Sequence, residues 1–593
     1  MIRTPLRPLA RILDARNKGE NPDAIERENI RIRHEQMRDQ ARQRAEGRLL
    51  VLGLFFVTAF AVVGIRMGML ATSEPMEPRV DVPGAQIHAA RADIVDRNGS
   101  LLATNIETHA LYAQPPQMID PAHAAQELAR IFPDLNAADL LEDFTGKRKF
   151  LWIKRKISPE QMQAVHEIGD PGLLFASREM RLYPNGQLAA HVLGGASFGK
   201  EGVNAAEVIG VAGVEKYFDE YLRDPANGAT PLALSLDLTV QAAAEQVLYG
   251  GMKLMNAKGA TSILMDAHTG EVLSVVSLPA FDPNKRPHPA ISGDPSDSPL
   301  FNRSVQGVYE LGSTFKIFTA AQAMDLGLVN PNTIIDTKGP LRWGKHRIRD
   351  FRYYGDEMSV TKVIVKSSNI GTARLAQAIG VTRQRDFLEK LGMLESTGFE
   401  LVEAATGRPL LPAKWSELST MTISYGHGLS TSPMHLAAGY AAIANGGYKV
   451  QPTILKRDVT EKGERVFSEA SAAASLKMLR KVVTEGTASF GEVKGYAVAG
   501  KTGTADKPKR RGGYYDDKVI ATFASIFPAH DPKYVLIVTL DEPVDTTGDE
   551  PRRTAGWTAV PVAAEMIRRV APLLGVRPTV EPASGGDIKL TSN

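Results

Sequence analysis

Ser313-Thr314-Phe315-Lys316 sets a hydroxyl and an amine three residues apart, a spacing that puts both on one face of a helix. The tetrapeptide pattern recurs at Ser197–Lys200 and Ser359–Lys362, so by itself it says little. The copy at Ser313 is different because an apolar helical pattern follows it, and then two further motifs in order: Ser367-Ser368-Asn369 and Lys501-Thr502-Gly503-Thr504. Together they contain a nucleophile, an amine to deprotonate it, a polar relay and a cationic strand edge for a carboxylate, which is the equipment of a serine acyltransferase.

A serine hydroxyl attacks poorly until a base removes its proton. Lysine titrates near 10.4, so a lysine base must be brought down to roughly 7–8 by burial and cationic neighbours. Lys316 is the expected base, with the helix start after Gly312 and the charge of Lys501 both opposing its ammonium form. Ser367 and Asn369 are expected on a loop or helix start, relaying a proton and holding a substrate amide, with simple helix capping as the competing reading. Ser368, Thr502, Gly503 and Thr504 complete the expected substrate site. Gly503 would let a peptide approach the strand edge, and the Thr502 and Thr504 hydroxyls with Lys501 would hold a terminal carboxylate. The N–H groups of Ser313 and Thr504 are the expected oxyanion donors.

No cofactor or metal is called for. The chain has no cysteine, which excludes thiolate metal sites, disulfides and a cysteine nucleophile. His191 has no second histidine at ligand spacing and reads as structural. A net charge of +3 gives no reason to expect a nucleic-acid partner.

The elements that must position these groups are legible from periodicity. Thr261–Asp266 and Glu271–Ser277 read as one hairpin, Val519–Phe527 and Tyr534–Leu540 as another, and Tyr496–Thr504 as a fifth strand, enough for one antiparallel sheet. Helical patterns over Phe315–Leu326, Val363–Ile379 and Met434–Asn445 each end at a glycine. The fold class is therefore α+β. Upstream, Arg91–Gly99 reads as a strand entering an Asn-Gly turn, and Ala122–Phe132 and Pro159–Ile168 as helices; no catalytic constellation lies there. Leu49–Ile65 is uncharged, and its apolar character continues past Arg66 to Leu70, enough for one membrane-spanning helix. The long region before it argues against a cleaved signal peptide. Arg42, Arg44 and Arg48 precede the span and Glu74, Glu77 and Asp81 follow it, which places the N-terminus in the cytoplasm and the bulk of the chain outside. The expected organisation is a cytoplasmic tail (1–48, with Glu20–Glu46 a charged helix or a solvated segment), the span (49–70), a linker and non-catalytic domain (71–230), a catalytic domain (231–577) and a loose end (578–593).

The ordered triplet resembles that of the penicilloyl-serine transferases, and the likeness extends well beyond it. Arg91–Gly99, with Ala92 where the family has glycine, Arg181–Pro184, His191–Gly194 and Gly213-Val214-Glu215 resemble the family's pedestal motifs. Asn302-Arg303, Tyr309–Ser313 (with Leu311 where proline is common), Tyr425–Gly428 and Ala444–Gly447 resemble catalytic-domain motifs. One span, a pedestal and a C-terminal transpeptidase domain are together similar to the class B penicillin-binding proteins, and the long tail and Lys-Thr-Gly-Thr-Ala-Asp-Lys to their division-type, FtsI-like branch. The resemblance implies a five-stranded sheet between helical layers, and attack by Ser313 on the D-Ala–D-Ala bond of a peptidoglycan stem peptide, with release of D-alanine and cross-linking to a neighbouring stem. It further implies inhibition by β-lactams, residence in a bacterial inner membrane with a periplasmic catalytic domain, and partnership with a membrane-embedded septal glycosyltransferase (FtsW-like) and other divisome membrane proteins. An elongation-type transpeptidase, a D,D-carboxypeptidase or β-lactamase, and a non-catalytic β-lactam-binding scaffold are the alternatives; no Glu-x-x-Leu-Asn motif of a water-activating hydrolase is evident.

Overall fold

The computed structural model describes residues 7–72, 91–201, 206–227, 230–289, 291–457, 459, 462–509 and 512–579. The expected linker over Ser73–Pro83 and nearly all of the expected C-terminal tail lie outside them. The chain divides into two compact units at Glu77–Pro78.

In the first unit a helix at Arg7–Asn17 precedes one of 51 residues, Pro22–Thr72. The charged-helix reading of Glu20–Glu46 therefore holds over the solvated one, and i,i+3 and i,i+4 pairs such as Arg31 with Glu28 and Glu35 suit an exposed helix. Within it Glu46–Gly68 is long and apolar enough to cross a membrane, two or three residues earlier than expected. Leu50 and Phe60 are each 72% exposed, as lipid-facing side chains would be, and the Thr58 hydroxyl returns to the Leu54 carbonyl at 2.8 Å.

The second unit opens with β1 (Ile94–Val95), which turns at Asn98-Gly99 into β2 (Leu101–Ala113). The Asp96 carboxylate fastens this turn by accepting from the N–H groups of Asn98 and Ser100 at 2.8 and 2.7 Å. β2 pairs antiparallel with both β3 (Leu151–Ile157) and β4 (Leu173–Leu182). The helices Pro121–Ile131, Ala137–Thr145 and Pro159–Ile168 bury Leu128, Phe144 and Val165 against Leu111 and Leu173 of this sheet. A hairpin follows, β5 (Gly195–Glu201) and β6 (Ala206–Ala212). β7 (Leu232–Ala233) then runs parallel to β1, so the expected boundary near residue 230 is bridged by backbone pairing. His191 is buried in this part, with Nε2 2.8 Å from the Pro299 carbonyl, and burial pushes its pKa down to about 4.

The expected antiparallel sheet is present. β8 (Gly259–Asp266), β9 (Val272–Leu278), β10 (Ala499–Pro508), β11 (Tyr514–Phe527) and β12 (Tyr534–Asp541) stand in the order β10-β11-β12-β8-β9. Every residue of β9 is buried, and helices pack on the sheet: Leu238–Leu254 with Ala559–Leu573, and Pro433–Ala444 with Glu469–Glu485. β10 ends the sheet and leaves one edge for the site. One expected helix is different. Val363–Ile379 is two helices, Val360–Lys366 and Asn369–Ile379, interrupted where Ser367 turns to φ 61°. The apolar period runs through the break and hides it from a pattern reading.

Candidate active site

Three segments remote in the chain converge at the edge of β10. Ser313 lies in a single 3-10 turn, Gly312–Phe315, that leads into the helix Lys316–Asp325. The turn is held from several sides. Tyr440 donates to the Thr314 carbonyl at 3.0 Å, Thr314 Oγ1 donates to Leu311 O at 2.8 Å, and Gly312 N–H donates to the Gly426 carbonyl at 3.2 Å. Glycines make these approaches possible. A Cβ on Gly426, which has φ +84°, would lie 1.9 Å from Gly312 O. A Cβ on Gly503 would lie 2.2 Å from Leu311 O and 2.9 Å from the Thr314 methyl carbon. The bare face of Gly503 thus admits the turn that carries Ser313, a close approach the sequence reading did not assign to it.

Lys316 is completely buried, one 3-10 turn beyond Ser313, and its N–H donates to the Ser313 carbonyl. Its amine donates to the Ser367 carbonyl at 2.5 Å and to Ser367 Oγ at 3.1 Å. Lys501, also completely buried, donates to the same Ser367 Oγ at 2.9 Å and to Thr502 O at 3.1 Å. Ser367 thus receives both amines, and its left-handed backbone is what turns its carbonyl and hydroxyl toward them. Burial pushes Lys316 well below its ordinary value, the charge of Lys501 adds to this, and Asp350 opposes it. Burial alone brings Lys501 down to about 7. The expected depression of the Lys316 pKa is present, with burial as the leading cause and Lys501 second.

Ser368 does not fit the substrate-binding place expected of it. It is completely buried, its hydroxyl donates to Asp350 Oδ2 at 2.7 Å, and its oxygen accepts from Gly371 N–H at 2.9 Å. That is an N-cap, a role the sequence reading weighs for Ser367 and Asn369 and not for Ser368. Asn369 stands beside the break with its amide donating to Arg349 O at 2.9 Å. Thr502 Oγ1 lies 2.7 Å from Thr487 Oγ1, and Thr504 Oγ1 accepts from Ala555 N–H at 3.0 Å. A backbone N–H can only donate, so the Thr504 hydroxyl proton remains for another acceptor. Thr504 also adjoins the turn that carries Ser313, its carbonyl 3.0 Å from where a Gly312 Cβ would stand.

Sequence reasoning missed the supports. Asp350 holds both Ser368 and the N–H of Ile370, the latter at 3.0 Å, and so fixes the start of the second helix. Glu310 accepts from Gly428 N–H at 2.7 Å and from the Tyr514 hydroxyl at 3.0 Å, joining the turn before Ser313 to β11. Thr487 lies just past the helix Glu469–Glu485. Asp350 and Thr487 carry no local signature, and Glu310, though inside the Tyr309–Ser313 run, acts across a fold-dependent gap that the run does not reveal.

Comparison with known proteins bears on this geometry. The model of the penicillin-binding protein transpeptidase domain matches residues 260–566, and that of the penicillin-binding protein dimerisation domain matches residues 86–230. A probable peptidoglycan D,D-transpeptidase FtsI from Caulobacter vibrioides is 34% identical, over 93% of each chain. The chain belongs to the class B penicillin-binding proteins. Another member, the probable peptidoglycan D,D-transpeptidase PenA of Neisseria meningitidis, is 32% identical over 85% of this chain and 88% of its own. A crystal structure of penicillin-binding protein 3 from Mycobacterium tuberculosis, complexed with aztreonam, superposes with a TM-score of 0.61 at 27% identity, covering 83% of this chain and 98% of that one. The class B fold accounts for the sheet between helical layers, with the Ser-x-x-Lys turn, the Ser-Ser-Asn break and the Lys-Thr-Gly strand at one cleft.

Proposed function

We propose that this class B penicillin-binding protein is a peptidoglycan D,D-transpeptidase whose nucleophile is Ser313 and whose base is Lys316. A neutral Lys316 has two hydrogens, and two acceptors on Ser367 face it, which leaves its lone pair to take the Ser313 proton. Ser313 Oγ then bonds to the carbonyl carbon of the penultimate D-alanine, the bond to the terminal D-alanine nitrogen breaks, and the proton passes by way of Lys316 and Ser367 to that nitrogen. D-Alanine leaves as the free amine. An amine on a neighbouring stem attacks the resulting ester, its proton returns to Ser313 Oγ, and the new amide is the cross-link.

Asn369 would hold the substrate amide, Lys501 with the Thr502 and Thr504 hydroxyls its carboxylate, and the N–H groups of Ser313 and Thr504 the oxyanion. Losing one such donor costs about 3–4 kcal/mol in the barrier. β-Lactams present the same carbonyl and carboxylate and would trap Ser313 as a stable ester. The names of the relatives and the aztreonam bound to the mycobacterial protein support this reading.

The FtsI names favour work at the division septum beside a membrane-embedded glycosyltransferase of the FtsW kind and other divisome membrane proteins. Arginines before the span and acids after it favour a cytoplasmic N-terminus and a periplasmic catalytic domain. Residues 71–230 would serve as pedestal and 231–577 as transpeptidase domain. The observation that carries the reading is the fully buried Lys316 with its amine on Ser367. Its test is the product formed from defined stem peptides: cross-linked dimer with the native chain and none with Ser313→Ala. Trimmed monomer alone would make it a carboxypeptidase.

A further inference from the structure

The short strands Leu341–Trp343 and His346–Ile348 form a hairpin in the catalytic domain. Leu341 stands opposite Ile348, and both are buried against Ile370 and Ala373 of the helix Asn369–Ile379. The next pair out, on the other face, is Arg342 directly opposite Arg347. Like charges in that register destabilise a hairpin. Nothing within the described residues answers them: neither arginine forms an ion pair there. The acids of this stretch are engaged elsewhere. Asp336 pairs with Arg374 at 2.9 Å, Asp350 holds Ser368 and Ile370, and Asp356 accepts from the Tyr353 hydroxyl. From Arg342 to Arg352 there are five basic residues, all exposed, and one acidic one.

The hairpin is tied to the cleft. The Asn369 amide donates to the Arg349 carbonyl at 2.9 Å, and Asp350, the next residue, is near enough to Lys316 to act on its charge. Phe351 and Tyr353, 81% and 77% exposed, add apolar area beside the cations. A ligand of this rim is anionic and lies at the approach to Ser313. A peptidoglycan strand meets both conditions, since its stems carry carboxylates upstream of the D-Ala–D-Ala end. An acidic protein or a membrane surface seated here would compete with that strand for the approach. Two guanidinium forks on directly opposed residues are close enough to grip one carboxylate between them. We propose that Arg342 and Arg347 bind an internal carboxylate of a peptidoglycan stem, so that a stem with this carboxylate free is preferred over one with it amidated. The proposal rests on the peptidoglycan reading given above and names the form of stem it takes.

The test uses the full-length Ser313→Ala chain in detergent, which binds without turnover. The probe is a fluorescent, uncross-linked glycan strand whose stems are L-alanyl-γ-D-glutamyl-L-lysyl-D-alanyl-D-alanine, so that each glutamate leaves one internal carboxylate free. We expect this strand to bind at least about tenfold more tightly than the same strand with that carboxylate amidated. Adding Arg342→Gln/Arg347→Gln should abolish the preference by weakening the carboxylate strand alone, in a chain that still unfolds cooperatively. The comparison of the two strands stands even if the added substitutions prevent folding. Equal affinity for the two strands overturns the proposal, as does no binding of the carboxylate strand, or a preference that survives in the folded variant. It is equally overturned if the substitutions weaken binding to phosphatidylglycerol vesicles and not to the strand. Failure of the catalytic reading shows separately, as absence of cross-linked dimer from the native chain.

Discussion

Ser367 Oγ accepts a hydrogen bond from Lys501 Nζ at 2.9 Å, and it does so from a left-handed backbone that a serine adopts at a cost of about 1–3 kcal/mol. The same oxygen serves Lys316 at 3.1 Å. Replacing Ser367 by alanine removes the one hydroxyl both amines share. Acylation by benzylpenicillin should slow by about a hundredfold or more, the usual scale for a lost proton-transfer group, measured by rapid-quench labelling.

Acylation needs Lys316 neutral, and its pKa lies well below the ordinary lysine value. The acid limb of the pH–rate profile should therefore lie well below pH 10.4, where an unperturbed lysine would titrate. Asp350 raises the Lys316 pKa by its charge. Asp350→Asn removes that charge, so the acid limb of the pH–rate profile should move to lower pH. A limb that stays in place, or moves up, would remove Asp350 from the electrostatics of the base.

Thr487→Val deletes the partner 2.7 Å from the Thr502 hydroxyl. Loss of one such bond is worth about 1 kcal/mol, so the second-order acylation constant should fall severalfold, with Thr487→Ser close to native. A substrate analogue lacking the carboxylate should show no difference between the two variants.

Gly503→Ala would force a Cβ against Leu311 O. Overpacking of this kind costs about 1–3 kcal/mol and here separates β10 from the nucleophile turn. The thermal midpoint should drop, and penicillin labelling should drop with it. Full labelling at unchanged stability would show that the turn can yield at no cost.

The contrast between these positions shows what was legible in advance. Ser313, Lys316 and Lys501 were visible because each sits in a short motif, and the order of the motifs is itself informative. The five strands were visible because period-2 and fully apolar runs mark them. Ser368 was misread because a capping serine and a substrate-binding serine look the same in one dimension, and only the Asp350 carboxylate at 2.7 Å separates them. The approach of Leu311 and Thr314 to Gly503 is not legible either, since a glycine records that something comes close without saying what. The break at Ser367 was hidden because backbone strain leaves no mark on hydrophobic periodicity. Asp350, Thr487 and Glu310 have meaning only after the chain has folded.

The central claim is that the amine of Lys316 deprotonates the hydroxyl of Ser313 in this cleft. It is tested most directly by peptide mapping of the native chain after brief exposure to benzylpenicillin. The account predicts one covalent adduct, on Ser313, whose formation is abolished in Lys316→Ala although that variant unfolds cooperatively. An adduct on another side chain, or none in folded native protein, would contradict it.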